Sequence, residues 1–353
     1  MMNLYENELY MEDVRYVAEA GLPWEKMQDS SILLSGATGL LGSFLIDTIM
    51  QKNTEGLNCS VYALGRSVSK FNERFSKWTG NRRLVFLSAN VNDTIILNQP
   101  QKLNYVLHLA SNTHPLQYAT DPIGTITTNI IGLMNMLDLA VEHQADRFAF
   151  ASSNEIYGEN RGDTELFNEK YVGYIDSNTL RAGYPESKRC GEALCQAYRA
   201  QKGLNVVIPR FTRSYGPTMK LDDTKAISQF IRKAIKGEDI VLKSEGKQNY
   251  SYTYMADAVL GLFIILLNGI DGETYNIADE ASNITLKELS QIIARHVGKR
   301  VVFDIPDSVE AAGYSRATKA LLDGSKLKQL GWKPNYNIKN GIERTIDILR
   351  MNQ

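Results

Sequence analysis

The stretch that most limits what this chain can become is residues 31–52, "SILLSGATGLLGSFLIDTIMQK". It opens as a short apolar run, crosses Gly36, Gly39 and Gly42, and continues with helical spacing of its apolar residues. A strand, a glycine turn and a helix in that order leave the first N–H groups of the helix without intrahelical partners. Glycines there permit a tight turn and let a pyrophosphate approach the backbone at the positive end of the helix. Gly-x-x-Gly-x-x-Gly alone is weak evidence. Its place between a strand and a helix gives it meaning.

Further strands follow: "NCSVYALGRS", "RRLVFLSANV", "NYVLHLAS", "DRFAFASSNEIYG" and "LNVVIPRFTRSYGP". Helical patterns separate most of them, notably residues 125–142 and 182–202. This alternation predicts an α/β fold, a Rossmann-type doubly wound parallel sheet with a smaller mixed α/β C-terminal substrate domain. The expected division is 1–29 as an N-terminal helical extension, 30–215 as the dinucleotide-binding domain with the catalytic residues, and 216–353 mainly as substrate-binding domain. Some segments of the last part are expected to return to the first sheet. Residues 9–28 read as one amphipathic helix on the outside of the domain, with Leu9, Met11, Val14, Val17 and Trp24 as its apolar points.

Composition removes several function classes. A net charge of -1 provides no field for capturing nucleic acid. No apolar run is read as approaching the ~20 residues that span a bilayer, so no membrane partner is expected. The start of the chain is acidic and mixed, unlike a secretory signal, and a cytoplasmic location is expected. Cys59, Cys190, Cys195 and four scattered histidines have no metal-ligand spacing, so no metal site is expected. His108, inside an apolar strand, reads as a packed residue.

The segment "LRAGYPESKRCGEALC" sets Tyr184 and Lys188 four apart, on one helix face. By itself that pair is unremarkable, since Tyr packs and Lys is solvated. Taken with the glycine turn and the hydroxyls Ser152 and Ser153 of "FASSNEIYG", it resembles the short-chain dehydrogenase/reductase superfamily. The resemblance implies that Tyr184 is the acid/base moving a hydroxyl proton during hydride transfer. Lys188 would bind the cofactor ribose and lower the phenol pKa, and Ser153 would support the reaction. It implies cofactor contacts at Gly36, Gly39, Leu40, Leu41 and Gly42, at Arg66, at Asn90 and Val91, at Leu109, Ala110 and Ser111, and at Tyr184 and Lys188. NAD-selective members carry an acidic residue where Gly65 stands. Arg66 follows it and can pair with a 2′-phosphate or stack on adenine. The cofactor is NAD or NADP, with NADP slightly favoured.

Longer motifs narrow the resemblance to the extended group, whose members modify nucleotide-linked sugars. "VLHLAS", "NIIGLMNMLDLA", "RFTRSYGP" and "LGWKP" are similar to its signatures. "HPLQYATDP", "FASSNEIYGE", "LRAGYPESKRCGEALCQAY" and "KQNYSYTYMADAVLGL" resemble the UDP-glucuronate decarboxylases in particular. The shared chemistry is oxidation of the sugar C4 hydroxyl to a ketone, which makes a carboxylate on C5 a β-keto acid. The leading expectation is decarboxylation of a nucleotide-linked uronic acid. The alternatives are an epimerase or 4-dehydrogenase, or an inactive nucleotide-binding scaffold protein.

Four departures or candidates bear on the substrate. Asn154 stands where the decarboxylases have Ser and the sugar 4,6-dehydratases have Asp. An amide has no proton to give at neutral pH, which argues against dehydration. Tyr250 replaces an Arg that touches the diphosphate, while Arg213 has appeared at a position near the same group. Glu155, read as lying on the fifth strand, is a candidate carboxylate beside C5 and C6. Arg181 is a candidate partner for a substrate carboxylate. Asn154, Arg181, Arg213 and Tyr250 are thus the expected substrate contacts. The resemblance also implies a homodimer through residues 125–142 and 182–202, where Ile131, Met134 and Leu194 supply apolar positions.

Overall fold

A computed structural model describes residues 3–97, 102–113, 115–304 and 318–351. The strands are β1 Ser31–Ser35, β2 Ser60–Gly65, β3 Leu84–Ser88, β4 Tyr105–His108, β5 Arg147–Phe150, β6 Ser152–Ser153, β7 Val206–Phe211, β8 Arg213–Tyr215, β9 Ile240–Leu242, β10 Asn249–Tyr254, β11 Thr274–Ile277, β12 Asn283–Thr285, β13 Val301–Phe303 and β14 Lys319–Ala320. The helices are α1 Glu8–Ala18, α2 Leu40–Thr54, α3 Val68–Arg74, α4 Pro115–Thr120, α5 Pro122–Glu142, α6 Gly183–Lys202, α7 Ala226–Ile235, α8 Met255–Asn268, α9 Leu286–His296, α10 Ser325–Gln329 and α11 Ile338–Met351.

The large sheet runs β11-β7-β5-β4-β1-β2-β3, with β6 also paired to β7, and its pairings are parallel. Strand order reverses at β1, where β2 and β4 lie on either side of it. A ligand of a doubly wound sheet binds at that reversal, beyond the carboxyl ends of the strands. Side chains alternate across the sheet. Ile32 and Leu34 join the core beneath α1, α2 and α8, while Leu33 joins Leu133, Leu137, Phe148 and Cys195 beneath α5 and α6. Burial on both faces is why β1 reads as an unbroken apolar run.

After β7 the chain builds a second, smaller layer. β8 pairs with β10, and β12 and β14 flank β10 on the same path. β11 then returns to the edge of the large sheet beside β7.

Three expectations are corrected. Residues 9–28 are not one helix. α1 ends at Ala18, and after the Gly21-Leu22-Pro23 break a separate short 3-10 turn covers Trp24–Met27. Nor does α1 decorate the outside, because Tyr10, Val14 and Val17 are fully buried in the core. Its polar groups are buried with them. Asp47 on α2 accepts hydrogen bonds from Tyr5 Oη at 2.7 Å, Tyr10 Oη at 2.5 Å and Arg74 Nη2 at 2.5 Å. Asp13 accepts from Tyr254 Oη at 2.5 Å, Tyr336 Oη at 2.8 Å and Arg344 Nε at 2.7 Å. Buried carboxylates are stable only with such partners, and here the partners come from distant parts of the chain. Finally, α5, with 21 residues, is long and apolar enough by length and composition to cross a membrane. Its Leu133, Met136 and Leu137 are instead packed inside the fold.

Candidate active site

The glycine turn joins β1 to α2 at the point of strand reversal. Gly36 has φ +75°, and a Cβ there would lie 2.8 Å from the Ala110 amide nitrogen. A Cβ on Gly42 would lie 2.3 Å from the Gly36 carbonyl oxygen. The turn can therefore close only with glycine at both places. α2 starts after Gly39 with no side-chain cap, and Leu40 and Leu41 are half-buried at its first turn. Uncapped N–H groups at a helix start, approached by a bare backbone, fit the phosphates of a dinucleotide.

The other expected cofactor contacts surround this cradle along the ends of the parallel strands. Arg66 is exposed just after β2. Asn90 is exposed after β3, its carboxamide oxygen accepting the Asn92 N–H at 3.2 Å, and Val91 is buried beside it. Leu109, Ala110 and Ser111 are half-buried after β4. The Ala110 N–H donates to Ser35 Oγ at 3.2 Å, and Ser35 Oγ lies 3.0 Å from His108 Nδ1. Burial and the nearby Lys188 push the His108 pKa down to about 3, so this ring is a neutral packing group. Ser111 Oγ donates to Asn129 Oδ1 at 2.9 Å, and Asn129 Nδ2 donates to Ser187 Oγ at 2.9 Å. That chain of hydrogen bonds ties the end of β4 through α5 to α6.

α6 carries Tyr184 and Lys188 inward. Gly191 lets the helix lie against β5, since a Cβ there would come within 2.5 Å of the Phe150 ring. Lys188 is buried, with Nζ 4.8 Å from the Phe150 ring centre, and it donates to the Ala151 carbonyl at 2.7 Å. Burial pushes its pKa down to about 7, against the opposing charge of Glu192. Glu192 does not touch it. That carboxylate grips Arg210 bidentately at 2.9 and 2.7 Å and accepts Ser152 Oγ at 2.5 Å.

Tyr184 is buried too. Burial raises its pKa, and the charge of Glu155 raises it further, while hydrogen bonds with Ser153 and Ser111 and the charge of Arg181 pull it down. Lys188 Nζ lies 5.8 Å from the phenol ring centre.

Glu155 lies in a 3-10 turn, Asn154–Tyr157, and not on the fifth strand. Ser153 begins the turn, its Oγ accepting the Glu155 N–H at 3.2 Å. The turn swings Glu155 toward Arg181, whose Nη2 is 2.7 Å from Glu155 Oε2. Their side chains are 24% and 46% exposed, so the pair lines an open edge of the site. Asn154 is buried in the same turn.

Arg213 and Tyr250 meet across paired strands. The guanidinium carbon sits 3.5 Å from the phenol ring centre, and Nη1 is buried with no hydrogen-bond partner among the described residues. The charges of Glu155 and Arg181 both influence the Tyr250 hydroxyl. Ser153, Glu155, Arg181, Tyr184, Arg213 and Tyr250 thus converge, although they come from widely separated parts of the chain.

Sequence reasoning passed over Tyr118 on α4. Its ring stacks on Tyr184 with centres 4.9 Å apart, and Arg181 covers it with Cζ 4.8 Å from its centre. The signal was present in "HPLQYATDP", quoted only for family likeness. His114 of that motif lies outside the described residues.

Similarity to known proteins agrees with this geometry. The sequence profile of the NAD dependent epimerase/dehydratase family matches residues 32–278. UDP-glucuronic acid decarboxylase 6 of Arabidopsis thaliana is 33% identical over 316 residues, covering 88% of this chain and 86% of that protein. UDP-glucuronic acid decarboxylase 1 of Xenopus tropicalis is 30% identical over 319 residues, covering 90% and 72%. In fold, the chain is similar to the crystal structure of UDP-glucuronic acid 4-epimerase from Bacillus cereus in complex with UDP-glucuronic acid and NAD. The TM-score is 0.75 at 21% identity, covering 91% of this chain and 99% of that one. A profile match over most of the chain, and relatives at this identity over nearly all of it, establish that the chain belongs to the NAD dependent epimerase/dehydratase family, within the extended short-chain dehydrogenase/reductases.

Proposed function

We propose that the protein oxidises C4 of a nucleotide-linked uronic acid, releases carbon dioxide from the ketosugar and reduces the C4 ketone again. The observation that carries this is the Arg181–Glu155 pair beside Tyr184 and Ser153, next to an amide at position 154. NAD(P), which the Gly36–Gly42 turn, Tyr184 and Lys188 would hold, would supply the two-electron acceptor for the C4 hydrogen and the hydride for the final reduction. Tyr184 takes the C4 hydroxyl proton, and Ser153 hydrogen-bonds the same oxygen. Once C4 is a ketone, the C5–C6 bonding pair flows toward it as carbon dioxide leaves, and C5 then takes a proton from solvent. Tyr184 returns its proton to the C4 oxygen as the ketone is reduced.

Arg181 receives the incoming carboxylate and gives up Glu155 to do so. The displaced Glu155 then faces a like charge that disappears when the carboxylate departs as neutral carbon dioxide. Relief of that repulsion favours the reaction. Asn154 offers no acidic proton to a departing C6 hydroxyl, so dehydration lacks its donor. Arg213 holds the diphosphate, with Tyr250 as the flat surface that orients it.

Finer assignments follow the same reading. Arg66, without an acid at Gly65, slightly favours NADP over NAD. Residues 30–215 form the cofactor-binding domain and 216–353 mainly the substrate-binding part. Location is cytoplasmic. The protein is a homodimer through α5 and α6, where a groove lined by Pro122, Ile126, Ile130, Leu180 and Cys190 lies open. Ile131 and Met134, 44% and 40% exposed, extend that apolar face. Light scattering at micromolar concentration that returns a monomer would sink the dimer.

Mass spectrometry of the product from UDP-glucuronate tests the reaction. Loss of carbon dioxide is the expected result. An unchanged mass indicates epimerisation and a loss of water indicates dehydration, and either overturns decarboxylation. Cofactor binding without turnover of any nucleotide sugar would leave a scaffold protein.

A further inference from the structure

Five side chains around the site close into a ring of contacts. Ser153 lies beside Tyr184, where it pulls the phenol pKa down, and its Oγ accepts the Glu155 N–H at 3.2 Å. Glu155 pairs with Arg181 at 2.7 Å. The Arg181 guanidinium covers one face of Tyr118, and Tyr118 stacks on Tyr184 with an interplanar angle of 27°. Tyr118 is thus the one member of the ring that touches both the arginine and the phenol without an acid–base or charge-pairing part of its own.

Its support is built into α4. The Leu116 N–H donates to Thr224 Oγ1 at 3.4 Å, and Lys225 Nζ reaches Asp223 at 3.1 Å and Thr113 Oγ1 at 3.3 Å. The short helix is therefore braced from the opposite side of the cleft. Glu155, Tyr184, Arg181 and Asp223 are among the charged or titratable groups that act on the Tyr118 hydroxyl. Those that face Tyr184 are Glu155 and Arg181 from the 3-10 turns, Tyr118 from α4 and Lys188 from its own helix.

We infer that Tyr118 is a positioning residue whose ring fixes the Tyr184 phenol and shields it from water, and passes to it any change at Arg181. The inference rests on the reading of Tyr184 as the acid/base. Two flat contacts, one from a guanidinium and one from a stacked phenol, restrict the plane an aromatic ring can take. A ring held this way sets the orientation of its stacked neighbour, and small misplacements of an acid/base are costly in rate. Covering one face of Tyr184 also contributes to the burial that raises its pKa. When a substrate carboxylate replaces Glu155 at Arg181, the guanidinium shifts on Tyr118, and the stack carries that shift to the phenol. Occupancy of the carboxylate site is thereby coupled to the placement of the base.

The test compares Tyr118→Phe, which keeps the stack, with Tyr118→Leu, which removes it, using UDP-glucuronate and bound cofactor. The Phe variant should keep kcat within about twofold. The Leu variant should lose on the order of 10- to 100-fold in kcat with KM nearly unchanged. Its acid limb in the kcat–pH profile should move to lower pH by about half a unit or more, because a hydrated phenol ionises more easily. A merely destabilised protein would lose active material without moving the limb. If Tyr118→Leu does not fold, Tyr118→Met supplies a ringless side chain of greater length with the same expected outcome. A Leu or Met variant with wild-type kcat and pH limb overturns the inference. So does a Phe variant as damaged as Leu, or a rise in KM alone. Tyr184→Phe is measured alongside. If it retains turnover, the underlying reading of the reaction has failed, whereas an inactive Tyr184→Phe beside an unaltered Tyr118→Leu defeats this inference only.

Discussion

The guanidinium carbon of Arg213 lies 3.5 Å from the centre of the Tyr250 ring. The two residues stand on β8 and β10, strands paired in parallel with Arg213 opposite Tyr252. The extended-group signature that "RFTRSYGP" resembles has Asn where Arg213 stands, and the decarboxylase motif that "KQNYSYTYMADAVLGL" resembles has Arg where Tyr250 stands, so that the cation here stands on the neighbouring strand. The contact puts a long side chain from either strand within reach of the same spot, so under the proposed function the swap would keep one cation beside the diphosphate.

Arg213→Asn should therefore raise KM for UDP-glucuronate by about 10- to 100-fold, equivalent to the ~1.5–3 kcal/mol of a hydrogen bond to a charged group. Adding Tyr250→Arg should recover most of that loss. Steady-state kinetics of the single and double variants check it, and a double variant no better than Arg213→Asn would refute the exchange.

Tyr184→Phe removes the proton acceptor but keeps the stack on Tyr118. Turnover should fall by ~10²–10⁴-fold, the usual contribution of a positioned acid/base. Cofactor affinity by calorimetry should stay within about threefold, because the glycine turn makes that site.

Glu155→Gln frees Arg181 of its internal counter-charge. A half-exposed ion pair is worth only ~0.5–1 kcal/mol, so KM for UDP-glucuronate should fall by about two- to fivefold. The fall in kcat should be larger, about tenfold, since the repulsion relieved by decarboxylation is gone. UDP-glucose, which lacks the carboxylate, should show no change in binding constant. An equal effect on both ligands would remove the carboxylate from the argument.

Lys188 provides a pH test of stability. Burial lowers its folded pKa to about 7 from the usual lysine range near ~10.4. Between those values the unfolded chain binds more protons, so this group makes the folded state less stable as pH drops from ~10 to 7 and costs it fully below 7. Lys188→Met removes that term. The cofactor-free variant should melt higher than the parent below pH 7, by on the order of 1–3 kcal/mol after the unpaired Ala151 carbonyl is allowed for. The gain should shrink toward pH 10. Scanning calorimetry across that range decides it, and a destabilised variant at pH 6 would show that Lys188 is held charged by partners.

Much of the fold was legible because local pattern and global fold agree along residues 31–211. Fully buried strands read as apolar runs, and Gly36 and Gly42 sit where a Cβ would strike backbone. Tyr184 and Lys188 were legible for the same reason, since four residues along a helix make one face whatever the surroundings. The N-terminal segment was misread because Tyr5, Tyr10 and Asp13 look like surface residues until their partners arrive from Asp47, Tyr254 and Arg344. Glu155 was set on a strand because "EIY" has strand composition, while the Ser153 cap that bends it into a turn is a local hydrogen bond with no periodic trace. Tyr118 depended on tertiary contact alone. Nothing in the spacing from residue 118 to 184 announces a stack.

The Asp13 and Asp47 networks have a consequence for how ligands enter. α1 is bolted at one end to α2, which begins at the phosphate cradle, and at the other to β10 and α11. Hinged parting of α1 and α2 from β10 and α11 would have to pull two phenols and one guanidinium off the buried Asp13 carboxylate, a motion far costlier than rearranging a loop. Traffic through the cleft is thus left to the surface segments around α4 and residues 217–225. Under the proposed reaction, a cofactor seated beneath such a clamped frame would be retained from one turnover to the next, as suits chemistry that restores it to its starting oxidation state.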